Sequence, residues 1–346
     1  MLSRIHTVFL VLFLITWVPT AKAEGRSGVA VPRLNPLTMV YNPAVLGWKS
    51  KSVVSGHSRQ YQTETLVSCC SLDTKKISAA RVFRGMFKPK VEFLSYSLNR
   101  KKEDTQKTYT ETKNVSAYTL HVAYPFFDVL SLGIGKREHI QKYEYSKSSS
   151  STEKKSTRKY PREYYGVSLK ISDFVYLGYL SQKRTWASFQ QEKTVSGTTS
   201  YEDYPELSFS IISTAAALVL GGSHNKVSLE YRQDRHPYAT ATLGSKTLEN
   251  RAAVAHQYYF DIQYGHLYVL LHKEFWNAEA KPSEQSTRKK PYGEEDAVHV
   301  GWADSFALNV AITHRKDYQE NIDQSSSKYN WYTSYKEYLF SVGYVF

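Results

Sequence analysis

The chain closes on Tyr338-Leu339-Phe340-Ser341-Val342-Gly343-Tyr344-Val345-Phe346. Taken in twos from the end, Phe346, Tyr344, Val342, Phe340 and Tyr338 fall on one face of a strand, and all five are apolar or aromatic. The other face carries Val345, Gly343, Ser341, Leu339 and Glu337, which are smaller and more polar. A soluble protein gains little from an edge strand with a bare aromatic face. A transmembrane barrel needs one, because its last strand must pair with its first so that no backbone group meets lipid unpaired. The stretch predicts an all-β chain, a transmembrane antiparallel β-barrel.

The same alternation recurs upstream. Tyr118, Leu120, Val122 and Tyr124 alternate with Thr119, His121 and Ala123. Tyr165, Val167, Leu169 and Ile171 alternate with Gly166, Ser168 and Lys170, and Phe306 to Thr313 repeats the pattern. Period two with one apolar face is the signature of a lipid-facing wall. Short turns are expected at Lys88-Pro89, Phe126 to Asp128, Ser172-Asp173, Tyr264-Gly265 and Asp304-Ser305, with a longer connection near 213–224 that has room for a helical turn. Long polar loops are expected near 63–75, 99–115, 146–162, 187–203, 233–250, 277–295 and 319–333. Long and short connections then alternate, and the strand number is fourteen. It falls to twelve if the stretches 52–62 and 76–87 are not strands.

Ahead of the barrel the chain carries Arg4, the apolar run Val8 to Val18, and Ala21-Lys22-Ala23. These read as a cleaved signal peptide over residues 1–23. Residues 24–50 read as a plug segment, and 51–346 as the barrel. Pro43 denies a ladder donor and biases Asn42 away from helix, so Tyr41 to Gly47 is a turn or plug element and not a strand. The chain holds 28 Tyr, 15 Phe and 6 Trp, which suits two membrane–water interfaces. Its two cysteines, Cys69 and Cys70, are adjacent and make neither a disulfide framework nor a zinc site.

No catalytic constellation is read. Gly-x-Ser-x-Gly and His-Glu-x-x-His are both absent. No metal or cofactor is expected. Candidate pore-lining residues on the polar faces are His121, Lys170, Glu230, Arg232, His299 and Asn309. The formal net charge is +13, dispersed over basic loops such as Arg288-Lys289-Lys290. No binding motif accompanies it, so nucleic acid is not expected as a partner.

The C-terminal pattern resembles the insertion signal of bacterial outer-membrane barrels, carried here by Tyr338, Phe340, Val342, Tyr344 and Phe346. That resemblance implies the barrel-assembly machinery and outer-membrane lipid as partners and the bacterial outer membrane as location. The leader, the tripeptide Asn42-Pro43-Ala44 and fourteen strands together resemble the FadL family of outer-membrane channels. The resemblance implies a plugged barrel whose N-terminal hatch carries this motif, passing apolar molecules such as fatty acids. The segment here is shorter than a typical hatch of that family. Phe93 and the apolar stretch Phe174 to Leu180 are candidates for an apolar lumen wall. Three functions stay open: passive uptake of hydrophobic or small amphipathic compounds, an anion-favouring diffusion porin using Lys170, Arg232 and Arg315, and a structural barrel whose loops bind a partner.

Overall fold

The computed structural model describes residues 28–38, 40–49, 52–67, 76–87, 91–104, 109–147, 151–222, 224–279, 290–322 and 328–346. The leader, the Cys69-Cys70 pair, the Lys88-Pro89 turn and Arg288-Lys289 lie outside these residues.

Almost everything else is strand. In chain order the segments are β1 (Val53–Val67), β2 (Lys76–Phe87), β3 (Val91–Asp104), β4 (Tyr109–Phe126) and β5 (Leu130–Lys147). There follow β6 (Thr152–Lys159), β7 (Arg162–Lys170), β8 (Val175–Trp186), β9 (Phe189–Val195), β10 (Thr198–Tyr204), β11 (Leu207–Gly221) and β12 (Asn225–His236). The last are β13 (Ala239–Leu243), β14 (Lys246–Asn250), β15 (Ala253–Tyr264), β16 (Leu267–Ala278), β17 (Lys290–Ala303), β18 (Phe306–Ile322) and β19 (Lys328–Val345). Five spans are each broken for two residues: β6/β7, β8/β9, β10/β11, β12/β13 and β14/β15. Pro161, Pro205 and Pro237 stand at three of these breaks, where a missing N–H interrupts the ladder. Joining the broken spans leaves fourteen.

All neighbouring spans pair antiparallel. The ladder runs from β1 through β5, then through the broken spans, then to β19. It returns to its start because β19 pairs with β1 from Val53↔Val345 to Val67↔Trp331. At the seam Ser52 and Phe346 exchange both backbone hydrogen bonds, at 2.8 and 3.0 Å. Both stretches of weakest alternation, 52–62 and 76–87, are strands.

The faces divide as the alternation requires. Tyr118, Leu120, Val122 and Tyr124 on β4 are all exposed on the outside, as are Leu308, Val310 and Ile312 on β18. Two tyrosines six residues apart on one strand lie about 20 Å apart along it, close to the height of an apolar membrane band. Of the C-terminal pattern, Tyr338, Phe340, Tyr344 and Phe346 are exposed outward, while Val342 is buried at 4 % beside its neighbours.

Two expectations are corrected. No helical turn forms near 213–224, since β11 runs unbroken through Gly221. Alanine there serves a different purpose: Ala215 and Ala217 face inward and pack against Val29, Ala30, Val31 and Tyr41. The long polar stretches are also mostly strand. The described residues of 99–115, 146–162, 187–203 and 233–250 extend the ladders beyond the apolar belt, and the last two stretches turn tightly, as at Ser196-Gly197, where φ is +49° and +85°. Water wets both faces of these extensions, so no apolar period marks them.

Candidate functional site

Residues 28–38 and 40–49 lie inside the barrel at the short-turn end, and most of their side chains are buried. Pro43–Trp48 forms a short 3₁₀ turn with Asn42 as its cap and proline in the first position, where no N–H is needed. The wall meets this segment with two different surfaces.

The first is a glycine seat. Gly133 on β5 pairs directly with Gly166 on β7, and Gly178 on β8 pairs with Ser168. A Cβ at Gly133 would collide with Ala44 backbone, one at Gly166 with the Asn42 carboxamide, and one at Gly178 with Val29 and Ala30 backbone. Without side chains the sheet lets the segment's backbone press against it. Hydrogen bonds then fix the register. The Asn42 Nδ2 donates to the carbonyls of Val29 at 2.7 Å, Val167 at 3.2 Å and Tyr179 at 3.2 Å. Its Oδ1 accepts from the Ala44 N–H at 3.0 Å. Ser131 Oγ donates to Ala44 O at 2.7 Å, and Ser168 Oγ to Ala30 O at 2.6 Å. Asn42, Pro43 and Ala44 thus sit at the centre of the contact.

The second surface is ionic. Glu230 on β12 accepts the Val29 N–H at 2.9 Å and the Val31 N–H at 3.4 Å, and pairs with Arg33 at 3.3 Å. Arg33 also reaches Asp261 on β15 at 3.6 Å and lies 3.6 Å over the Tyr259 ring. The side chains of Arg33, Glu230 and Asp261 are at most 2 % exposed. Farther round, Asn35 Nδ2 donates to Asn309 Oδ1 at 3.0 Å.

Toward the other end the inward face carries a belt of polar side chains, here called the polar waist. Arg232 Nε donates to Asp234 at 2.7 Å, and its guanidinium stacks 4.1 Å over the Tyr41 ring. Gln257 donates to Asp234 at 3.1 Å. Arg315 pairs with Asp317 at 2.8 Å and Glu295 at 3.9 Å, and Glu274 pairs across the strands with Glu295. Beyond the waist, the hairpin β13–β14 leaves the main ladder as its own two-stranded sheet. Ala239, Ala241 and Leu248 of that hairpin pack on Leu207, Phe209, Ile211 and Trp186. Lys246 ties the hairpin to Glu202 at 2.9 Å.

All six candidate pore-lining residues face inward. They do not line one open channel. Glu230 and Asn309 bind the N-terminal segment. His121 is buried against Glu92 at 3.1 Å and edge-on to Tyr164 at 5.0 Å. His299 is buried. Lys170 is ion-paired to Asp173 at 2.7 Å, and its ammonium holds the Asp173 carboxyl below the usual carboxylate range. Lys170, Arg232 and Arg315 each have a carboxylate partner, whose opposite charge offsets part of the field with which they would attract anions. Phe93 is also corrected, because it faces outward at 39 % exposure. In Phe174 to Leu180, Tyr176 and Leu180 do face inward, where they pack on the N-terminal segment.

Sequence reasoning missed Arg33, Glu92 and the glycine seat. Arg33 was visible as a lone cation among Val29, Val31, Leu34 and Leu37. Gly133 and Gly166 were visible as inward positions without side chains. Among the described residues no group of three or more His, Cys, Asp or Glu is placed to hold a metal ion.

No protein-family model matches the chain, and no curated protein matches it by sequence. Solved structures do match in fold. A FadL homologue of Pseudomonas aeruginosa aligns at TM-score 0.57 and 9% identity, over 88% of this chain and 92% of that one. The toluene transporter TbuX of Ralstonia pickettii aligns at TM-score 0.57 and 10% identity, over 95% and 98%. The toluene transporter TodX of Pseudomonas putida aligns at TM-score 0.56 and 9% identity, over 95% and 98%. The chain has the FadL-type barrel fold.

Proposed function

We propose that the protein is a channel of the bacterial outer membrane, plugged at its periplasmic half by residues 28–49, that passively admits small hydrophobic or amphipathic molecules. The burial of that segment against the glycine seat and the ionic grip carries the reading. A segment held by both surfaces obstructs the barrel at that end, and an open diffusion pore has no use for it. The fold likeness to hydrocarbon channels supports the same class of solute. The polar waist favours the amphipathic end of that class. A bare hydrocarbon offers no hydrogen bonds to Arg232, Asp234, Gln257 and Glu274, whereas a molecule with one polar group does.

Single-channel recording in a planar bilayer tests the plug. The intact protein is expected to be silent or to flicker rarely. Deletion of residues 24–47 is expected to give large steady steps. Large steady steps from the intact protein would sink the reading in favour of a diffusion pore. Uptake of a small aromatic alcohol into vesicles carrying the protein tests the solute class, with no rate above empty vesicles as the contrary result.

A further inference from the structure

The strand extensions beyond the membrane sort their charges by face. On β5 to β9 the carboxylates Glu138, Glu144, Glu153, Glu163 and Glu192 all take outward positions. Inward on the same extensions stand Lys147, Lys154, Arg158 and Lys193, with Arg137, Arg162 and Arg184 lower down, nearer the plug. Lys154 on β6 and Lys193 on β9 are direct cross-strand partners. Like charges directly opposite one another destabilise a sheet. Among the described residues no carboxylate lies within ion-pair distance of Lys147, Lys154, Arg158 or Lys193. The inward carboxylates beside them are already taken: Glu111 pairs with Lys113, and Glu202 with Lys246 at 2.9 Å. The bond from Lys246, helped by the charge of Lys193, holds the Glu202 carboxyl below its ordinary range. Even with Glu249 of the hairpin counted, six cations of this rim stand against three carboxylates.

Rings fill the spaces between the cations. Tyr145 on β5 is the other cross-strand partner of Lys154, so a ring and two lysines stand side by side in one row. Lys154 Nζ lies 5.9 Å from the centroid of that ring. In the rows below, the Arg158 guanidinium lies 5.2 Å over Tyr143 and 4.5 Å over Phe189, which stacks on Tyr204 at 4.5 Å. Arg158 donates to Ser156 Oγ at 3.1 Å and to Gln191 Oε1 at 3.3 Å. Both acceptors are neutral, so its charge adds to the positive field of the rim.

We infer that this row is a capture site for a small aromatic acid at the outer mouth of the barrel, its carboxylate between Lys154 and Lys193 and its ring against Tyr145. A carboxylate there turns a repulsive pair into two charge-assisted bonds. A flat ring gains edge and face contacts with Tyr145 that a saturated one does not. The inference rests on the channel reading for its purpose and narrows the polar group of the solute to an anion.

A ligand-observed NMR titration of the folded protein in nonionic detergent tests it, with empty micelles as the blank. The probes are benzoate, benzyl alcohol, cyclohexanecarboxylate and acetate. Expected is saturable benzoate binding that weakens as salt rises, with weaker binding of the other three. Lys154→Glu should weaken benzoate binding by about tenfold or more, through loss of a bond to a charged group. The same variant should melt no lower than the parent, because it sets an opposite charge against Lys193; a lysine with only a structural role would lower the melting temperature. Tyr145→Leu should weaken benzoate and leave acetate unchanged. Absence of benzoate binding, or unchanged binding by Lys154→Glu, overturns the site. Equal binding of cyclohexanecarboxylate or acetate overturns the aromatic assignment, and equal binding of benzyl alcohol overturns the acid. Uptake of benzyl alcohol into vesicles reads the channel separately. Uptake by a protein that binds no benzoate sinks this site alone, whereas benzoate binding without uptake upholds the site and sinks the channel.

Discussion

The N-terminal segment is gripped from two sides by contacts of different physical kinds. On β5, β7 and β8 the grip is steric and neutral: three glycines, two serines and the Asn42 carboxamide. On β12 and β15 it is charged: Glu230 and Asp261 against Arg33, all buried. The neutral side fixes position, since it depends on backbone running against backbone. The charged side adds little net stability when intact, because removing three ionised groups from water costs nearly what their attraction returns. Its breakage is a different matter, since one missing partner leaves charges buried alone. The seat is tolerant of small changes in charge and intolerant of volume; the ionic side is the reverse.

The largest break in this comparison is Arg33→Ala, which leaves Glu230 and Asp261 uncompensated. It should weaken seating of the segment by about 3–5 kcal/mol, read as channel openings in a bilayer and as faster protease cutting within residues 28–49. The double variant Arg33→Met/Glu230→Leu should recover part of that loss, because no charge is stranded on Glu230 while the Val29 and Val31 amides still lose their acceptor. A double variant as leaky as Arg33→Ala would place the loss on Asp261 and on the Val29 and Val31 amides, and not on the charge of Glu230. Gly166→Val comes next, at about 1–3 kcal/mol from overpacking against Asn42. Its openings should be insensitive to ionic strength. Ser131→Ala is the smallest, at about 0.5–1.5 kcal/mol for one lost hydrogen bond to Ala44, measurable as a modest rise in protease cutting with conductance unchanged.

The wall was far more legible in the sequence than its contents. Alternation identified the spans and placed His121, Glu230, Arg232 and Asn309 inward, because lipid on one side imposes a period of two on every membrane-crossing stretch. That pressure ends at the belt, so β6, β9, β10, β13 and β14 read as loops. The Ala215 to Leu220 run suggested helix because its small inward residues make room for a partner whose presence no local pattern records. The ionic grip joins residues 33 and 230, brought together only by the register of intervening strands. Asn42-Pro43-Ala44 was found through a resemblance, and its three carbonyl contacts could not have been inferred from the tripeptide alone.

One consequence follows from the seam where Ser52 meets Phe346. Residue 49 leads almost directly into β1, and β1 joins β19, the last strand made. The cylinder cannot shut until β19 is made, and a stretch already on the inner side at that moment need not enter afterwards through a mouth. Capture during assembly is the expected route: the wall of β5, β7 and β8 gathers the leading stretch before the final edge-to-edge joining encloses it. A barrel closed without residues 24–49, then offered them as a free peptide, should fill slowly through the short-turn mouth, and the delay relative to the intact chain would time the capture.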